Sequence, residues 1–219
     1  SEVGPFMKVA AVIRAYNEEA TIGAVVATLR NVQEIQEVIV VSDGSEDRTA
    51  EIARSAGASV IELPENMGKA AAMKAGVEAT DADVLLFLDA DLVGLQESHV
   101  RALLAPVAEK RADMSVGVFD DGRVATDIAQ MVAPYLSGQR AVRREIADEV
   151  FLENPDVDSL RFGIEVALTR HVKHRGYHVV EVPLEEMTHR MKEEKLGLVK
   201  GAAARLKMYY EILKYVQKG

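Results

Sequence analysis

Two carboxylates stand one residue apart in this sequence, because Asp89 and Asp91 directly follow the apolar run 84–88. The run is strand-sized, and its continuous apolar character is typical of a strand buried on both faces. Carboxylates side by side at the end of a buried strand are unfavourable unless a cation or a hydrogen-bond donor compensates them. Mg²⁺ and Mn²⁺ suit such a place because they bridge protein carboxylates to substrate phosphates. The pair therefore predicts a divalent metal or a polar ligand here.

Two earlier loops carry weaker signals. Residues 15–19 follow the first apolar run and residues 42–45 follow the second. Neither loop matches the glycine-rich fingerprint of a dinucleotide site or of a phosphate-binding loop. Asp43, at a strand end, could accept hydrogen bonds from a base or a ribose. Ordinary helix capping would explain Asn17 and Glu18 equally well.

Short β-branched runs alternate with helical patterns through the first half of the chain, which is the signature of parallel strands joined by crossover helices. Strands are predicted at 8–14, 37–42, 59–63 and 83–88, and helices at 21–30, 47–56 and 68–79. The predicted fold class is α/β and Rossmann-like, with a mostly parallel central sheet flanked by helices. Ligands bind such sheets at the carboxyl ends of the strands, where all three loops lie.

The second half has a less regular pattern. A helix is predicted near 98–110, a strand near 113–119, a helix at 163–171 and a strand at 178–182, with irregular segments around Pro134 and Pro155. From residue 193 onward, apolar residues recur every three or four positions, which predicts a long amphipathic C-terminal helix.

Composition narrows the classes of protein that fit. The chain has 219 residues, no cysteine and a net charge of −9, so disulfides, thiolate metal ligands and a nucleic-acid partner are not expected. No apolar run is long enough for a transmembrane helix and no secretory signal is seen, which favours a cytoplasmic protein. Residues 1–6 carry no pattern and are expected to be an expression remnant before Met7.

The ordered set of motifs resembles family 2 glycosyltransferases with the GT-A fold. The segments that carry the resemblance are 12–19, 42–45, 64–70 and 89–91. Later segments look like those of a subgroup similar to glucosyl-3-phosphoglycerate synthases, namely 136–141, 162–167 and 187–190. The resemblance extends from Met7 to about Tyr215. It implies one domain, with a nucleotide-sugar-binding half at 7–95, an acceptor half at 96–192 and a C-terminal helix at 193–219.

Residue roles follow from the resemblance. It implies that the nucleotide-sugar donor is contacted by Tyr16, Asn17, Glu18, Asp43, Gly68, Lys69, Asp89 and Ala90. It places the metal on Asp91 and His189, and the acceptor beside Gly138, Gln139, Arg140 and Arg190. Asp91 and Glu165 would be the catalytic residues. Glu165 would act as the base if the reaction inverts the anomeric configuration, and no single base is required if it retains it.

The sequence departs from the family pattern in one place. Ser42 stands where these enzymes usually carry the first of two acids, which leaves open which base is read. The chain contains no Trp, so the Gln-x-x-Arg-Trp motif of processive synthases is missing and a processive enzyme is not expected.

The predicted activity is transfer of a hexose from a UDP- or GDP-sugar, with Mg²⁺ or Mn²⁺, to a small anionic acceptor such as 3-phosphoglycerate. A polyprenyl phosphate is the alternative acceptor, since residues 189–219 hold eight Lys or Arg against three Glu and could contact a membrane. A homodimer formed through the apolar face of the predicted C-terminal helix is a further alternative. Two readings from other classes stay open: a phosphohydrolase of the haloacid dehalogenase type and a non-catalytic nucleotide-binding module.

Overall fold

The structure is a computed structural model that describes residues 7–120, 127–157, 163–189, 207 and 210–214. Its strands are β1 (Val9–Ala15), β2 (Glu37–Asp43), β3 (Ser59–Leu63), β4 (Val84–Asp89), β5 (Leu92–Val93), β6 (Met114–Asp120), β7 (Arg140–Arg143), β8 (Val179–Glu185) and β9 (Thr188–His189). Its helices are α1 (Ile22–Arg30), α2 (Thr49–Ser55), α3 (Lys69–Glu78), α4 (Glu97–Ala108), α5 (Asp127–Leu136), α6 (Arg144–Ala147) and α7 (Ile164–His174), and a π-helical turn spans Asp148–Leu152.

Seven strands form the central sheet in the order β3-β2-β1-β4-β7-β6-β8. All neighbouring pairs are parallel except the two that β7 makes with β4 and β6, which are antiparallel. The predicted α/β class with a mostly parallel sheet and flanking helices is confirmed. Because β1, β2 and β4 run in the same direction, the loops that follow them meet at one edge of the sheet.

The continuous apolar runs of the central strands have a simple cause, because helices cover both faces of the sheet. In β1, Ala11 and Ile13 pack into one buried cluster, and Ala10 and Val12 pack into the cluster on the opposite face. The edge strand β8 has the opposite character: it alternates between buried and exposed positions, and the exposed ones are Glu181, Pro183 and Glu185.

The structure departs from the sequence prediction at three places of the second half. The segment around Pro134 is helix α5, and this proline lies in its last turn, where it lacks the N–H that would donate to the preceding turn. The chain before Pro155 is also helical, through α6 and the π-helical turn, whereas residues 153–156 around Pro155 itself are irregular as predicted. Strand β7, which begins at Arg140, has no predicted counterpart.

The predicted C-terminal helix at 193–219 lies mostly outside the described residues. Residues 207 and 210–214 are helical, and Ile212 is buried against Val132, Tyr135 and Val166. This segment therefore packs on α5 and α7. Within the described part of the chain, no helix combines the length and apolar character needed to cross a bilayer. The division into halves at 95 and 192 stays a prediction.

The contact between α3 and β1 depends on Gly76. A Cβ atom at this position would lie 2.4 Å from Cγ1 of Val12. We expect Gly76→Ala to lower the free energy of unfolding, since overpacking costs about 1–3 kcal/mol and outweighs a gain of about 1 kcal/mol in helix propensity. Urea unfolding measures the change. Exposed Glu78 on the same helix provides the control, because Glu78→Ala should stay within about 0.5 kcal/mol. A more stable Gly76→Ala protein would contradict the close contact.

Candidate active site

The two aspartates meet His189 through a small second sheet. Strand β5, directly after Asp91, pairs antiparallel with β9, so that Leu92 lies opposite His189. Nε2 of His189 lies 3.0 Å from Oδ2 of Asp89 and 3.8 Å from Oδ1 of Asp91. One ligand atom from each of the three residues lies within 4.8 Å of the others. Two carboxylates and an imidazole form a donor set that fits Mn²⁺ or Mg²⁺, with open positions for substrate oxygens.

The imidazole of His189 is held from two sides. The ring of Phe119 packs edge-on against it, with 4.8 Å between the ring centroids. The hydrogen bond to Asp89 raises the pKa of His189 above its ordinary value, against the opposing effect of partial burial. A metal ion would take the place of this proton, because a metal-bound histidine must be neutral.

Asp89 is the most heavily compensated charge of the site. Its Oδ1 accepts a hydrogen bond of 2.8 Å from Nζ of Lys69, and its Oδ2 accepts one of 2.8 Å from Nε2 of Gln139. Burial by itself would raise the pKa of Asp89, but the charge of Lys69 and the hydrogen bonds from His189, Lys69 and Gln139 hold the pKa well below its ordinary value. Asp89 is therefore ionised at neutral pH.

Lys69 links Asp89 to Glu165. Its Nζ pairs with Oε1 of Glu165 as well as with Asp89. Burial opposes the charge of the ammonium, yet the two carboxylates outweigh it and raise the pKa of Lys69 above its ordinary value. The lysine is thus a fixed cation at the point where α3 and α7 both begin. The carbonyl of Ala90, between the two aspartates, accepts a bond of 2.8 Å from Oγ1 of Thr21.

Gly138 lies directly against Asp89. A Cβ atom at this position would come within 2.4 Å of Oδ1 and 2.6 Å of Oδ2 of Asp89, so only glycine leaves room for the carboxylate. The next residue, Gln139, is fully buried, and its Oε1 accepts a bond of 2.9 Å from the backbone N of Asp89. Gly138 and Gln139, both predicted beside the acceptor, therefore contact Asp89 in this structure.

Asp43 is fully buried, and its carboxylate is engaged on both oxygens. Oδ2 accepts bonds of 2.9 and 2.6 Å from Nε and an Nη of Arg14, and Oδ1 accepts one of 2.7 Å from the backbone N of Met67. The guanidinium of Arg14 also lies over the ring of Tyr16, at 5.5 Å. Sequence reasoning missed Arg14, although a charged residue near the end of an otherwise apolar strand was a usable signal.

The loop after β1 is fastened to the loop after β2. Asn17, at a φ of 53°, accepts a bond of 2.9 Å from the backbone N of Glu46 through its Oδ1. The backbone N of Glu18 donates to Oγ1 of Thr49 at 2.9 Å, and Glu18 is buried. Gly68 has a φ of 94° directly before α3, in open space. These predicted donor-binding residues thus lie on adjacent loops at one sheet edge.

Arg140 differs most from its prediction, because its guanidinium is not exposed to an acceptor. The side chain is buried, and its N–H groups donate to Ser137 O at 2.8 Å, Thr169 Oγ1 at 2.7 Å, Pro134 O at 2.9 Å and Tyr135 O at 3.2 Å. Burial lowers the pKa of Arg140 to about 10, which keeps it charged near neutral pH. Arg190, the other predicted cation of the acceptor site, lies outside the described residues.

A mostly parallel sheet with an aspartate pair, an imidazole and a fixed lysine at its carboxyl edge has the parts needed to bind a metal and a diphosphate. The chain belongs to glycosyl transferase family 2, whose family model, "Glycosyl transferase family 2", matches residues 10–164. The protein is a glycosyltransferase, as predicted. Membership in this family favours a glycosyltransferase over the phosphohydrolase considered above.

Two relatives show the range of this family. The chain is 31% identical over 216 residues to a dolichyl-phosphate hexose transferase of Haloferax volcanii. The alignment covers 91% of each chain. It is 35% identical over 108 residues to a glucosyl-3-phosphoglycerate synthase of Mycolicibacterium smegmatis, which covers 45% of this chain and 36% of the relative. The two relatives share a hexose-transfer chemistry and differ in acceptor.

A solved structure shows the same fold with ligands. The glucosyl-3-phosphoglycerate synthase of Mycobacterium tuberculosis, in complex with Mn²⁺, UDP and glucosyl-3-phosphoglycerate, superimposes with a TM-score of 0.71 at 25% identity. The comparison covers 94% of this chain and 77% of that one. The predicted GT-A fold is confirmed, and the predicted dependence on Mg²⁺ or Mn²⁺ agrees with the metal in that complex and with the Asp89, Asp91 and His189 cluster.

Asp91 should be required for metal binding and dispensable for folding, because it lies on a strand-end loop and is only partly buried. We expect Asp91→Asn to lose most of the affinity for Mn²⁺, measured by calorimetric titration, with an unchanged circular dichroism spectrum. Asp81, which precedes the other end of β4 and is paired with Lys8, provides the control, since Asp81→Asn should bind Mn²⁺ like the wild type. Equal Mn²⁺ affinity in all three proteins would contradict the metal site.

Proposed function

We propose that this glycosyltransferase moves a hexose from a uridine diphosphate sugar to an acceptor that carries a phosphate, in a reaction that requires Mn²⁺ or Mg²⁺. The observation that carries the proposal is the cluster of Asp89, Asp91 and His189 with the ammonium of Lys69 at its side. Such a cluster can hold a metal and a diphosphate together at the carboxyl edge of the sheet.

The chemistry requires that negative charge be stabilised on the departing nucleoside diphosphate. A divalent ion held by Asp91, His189 and Asp89 would supply Lewis-acid stabilisation of that charge. Lys69 contributes a fixed cation that is already oriented by Asp89 and Glu165 before substrate arrives. Preorganised charge of this kind costs no rearrangement as the sugar–phosphate bond breaks.

Recognition of the nucleoside is assigned to the loops after β1 and β2. Tyr16, Asn17 and Glu18 would lie along the nucleoside, and Asp43 would accept a hydrogen bond from the base. Both oxygens of Asp43 are engaged in this structure, with Arg14 and with the backbone of Met67. Oδ2 already accepts two bonds from Arg14, whereas Oδ1 accepts one from the backbone N of Met67, so Oδ1 is the atom that would accept a further bond from the base.

Glu165 would lie beside the reacting hydroxyl of the acceptor. Its Oε1 is paired with Lys69, so Oε2 is the atom for the acceptor proton if the reaction inverts the anomeric configuration. If the reaction retains the configuration, Glu165 serves to hold Lys69 in place. Gly138, Gln139 and Arg190 belong to the same proposed acceptor side.

The acceptor we propose is a polyprenyl phosphate. One support is the dolichyl-phosphate hexose transferase, which aligns with 91% of this chain. The other is the excess of Lys and Arg in residues 189–219 of the sequence. The burial of Arg140 removes the residue that most favoured a small acceptor. A second candidate, 3-phosphoglycerate, is supported by the likeness to the synthase whose complex contains glucosyl-3-phosphoglycerate.

Donor binding should depend on metal. We expect UDP-glucose to raise the melting temperature in the presence of Mn²⁺ and to leave it unchanged with EDTA, because the diphosphate needs the ion. A ligand at a hundredfold excess over its dissociation constant adds about 2.7 kcal/mol to the stability of the native state. ADP-glucose serves as the control for the base. A shift of the same size with EDTA, or none with any nucleotide sugar, would contradict the proposed donor site.

The acceptor is tested by two parallel reactions with UDP-glucose and Mn²⁺, one with a polyprenyl phosphate in detergent micelles and one with 3-phosphoglycerate. Mass spectrometry of the product and release of UDP above the rate without acceptor are the readouts. A glycosylated polyprenyl phosphate is the expected result. Glycosylated 3-phosphoglycerate alone would establish the second candidate, and the absence of product from both would overturn the assignment of a phosphate acceptor.

Lys69 should act on turnover more than on folding. We expect Lys69→Met to lower kcat about 10²- to 10³-fold, the cost found when a preorganised donor to developing negative charge is removed. Lys74, on the same helix, provides the matched control, and Lys74→Met should keep the wild-type rate. Both variants are compared by steady-state kinetics after their melting temperatures have been measured. A similar kcat for both variants would show that Lys69 does not act on the leaving group.

A further inference from the structure

We propose that Arg140 is a positioning residue, which fixes Gln139 and Glu165 relative to Asp89 and does not itself bind the acceptor. The geometry points to this because the guanidinium is buried between α5, α7 and β7, with its donors turned toward protein oxygens. The inference rests on the proposed function only for the roles of the residues that it positions.

Arg140 closes the C-terminal end of α5. The last carbonyls of a helix lack partners within it and need other donors. Here the backbone N of Ser137 takes the carbonyl of Ala133 at 3.1 Å, and an Nη of Arg140 takes those of Pro134 and Tyr135 at 2.9 and 3.2 Å. Nε of Arg140 takes the carbonyl of Ser137 at 2.8 Å. A single side chain therefore fixes the path of the chain from α5 into β7.

That path places Gln139 against the cluster of Asp89, Asp91 and His189. The backbone N of Gln139 donates to Oγ of Ser137 at 3.2 Å, inside the segment that Arg140 encloses. The side chain of Gln139 then makes two bonds with Asp89, of 2.9 Å to the backbone N and 2.8 Å to the carboxylate. The orientation of the Asp89 carboxylate thus depends on Arg140 through one intervening residue.

A second arm of Arg140 reaches Glu165. The other Nη donates to Oγ1 of Thr169 at 2.7 Å, and that hydroxyl donates to the carbonyl of Glu165 at 3.0 Å. Glu165 lies in the first turn of α7 and pairs with Lys69. The same guanidinium therefore connects the segment before β7 with the first turn of α7, and both lie beside Asp89.

Arginine suits this position better than lysine. Its planar group directs several donors along fixed directions and stays charged when buried, whereas a lysine ammonium is a compact charge that cannot span four separate oxygens. A buried cation is costly unless its donors are satisfied. The four protein oxygens around Arg140 satisfy that requirement, and the carboxylates of Glu165 and Asp89 favour its charge.

The chain offers a matched control in Arg144, four residues further along. An Nη of Arg144 donates to the carbonyls of Thr80 at 2.6 Å and Val77 at 3.3 Å, at the C-terminal end of α3. Arg144 thus closes a helix as Arg140 does. It does so at the opposite edge of the sheet, because β7 runs from Arg140 beside Phe87 to Arg143 beside Val84.

The experiment compares Arg140→Lys with Arg144→Lys, each made alone and together with Gln139→Leu. Calorimetry measures the affinity of each protein for Mn²⁺ in the presence of UDP. We expect Arg140→Lys to weaken Mn²⁺ binding about tenfold, as loss of an outer support of a metal site does. The double variant with Gln139→Leu should lose less affinity than the sum of the two single losses, since Arg140 acts in part through Gln139. Arg144→Lys should keep the wild-type affinity.

A second measurement needs no substrate. Hydrogen–deuterium exchange of the apo protein should accelerate at 135–139 and 165–169 in Arg140→Lys. In Thr169→Val, where the new side chain has nearly the same shape, it should accelerate at 165–169. Unchanged exchange in both variants would overturn the proposal, as would effects of Arg140→Lys and Gln139→Leu that simply add. A raised acceptor KM with unchanged kcat and unchanged Mn²⁺ affinity would instead assign Arg140 to the acceptor. A wild type that binds neither Mn²⁺ nor UDP would contradict the proposed function and leave the exchange experiment to decide on Arg140.

Discussion

The need to hold the negative charge of Asp89 at the end of a central strand governs the rest of the site. A carboxylate in this half-buried place requires donors, and they arrive from three separate elements: Lys69 from α3, Gln139 from the segment before β7 and His189 from β9. Gly138 is required to be glycine by the same carboxylate, since any side chain would overlap it. A metal would enter a cluster whose protein donors already enclose the charge it binds.

The reversed strand β7 is what makes this enclosure possible. In a wholly parallel sheet, the residues that precede each strand lie at the edge opposite to the site. Because β7 runs antiparallel to β4, the segment that precedes it starts at the same edge at which β4 ends. Gly138 and Gln139 are thereby brought next to Asp89, and the fully buried Arg140 follows directly as the first residue of the strand. Topology and site chemistry are thus coupled at one short strand.

The sequence predicts the first half of this fold well, because strands buried on both faces and crossover helices leave clear periodic patterns. Strand β3 is predicted to the residue, and Asp89 and Asp91 stand out against the apolar run before them. The four-residue strand β7 leaves no such pattern, since its sequence begins and ends with arginine. The pairing of Arg14 with Asp43 and the burial of Arg140 depend on contacts between residues distant in sequence, which periodicity does not reveal. His189 was identified only through the family resemblance.

The exposed positions of β8 bear on how this protein can assemble. An open sheet edge offers unpaired backbone groups to other chains, and negative charge and proline are common means of blocking such growth. In strand β8, at one flank of the sheet, the exposed residues are Glu181, Pro183 and Glu185. Two copies placed edge to edge at β8 would oppose like charges and lose a ladder bond at each proline. Strand exchange between copies at the β8 flank is therefore discouraged.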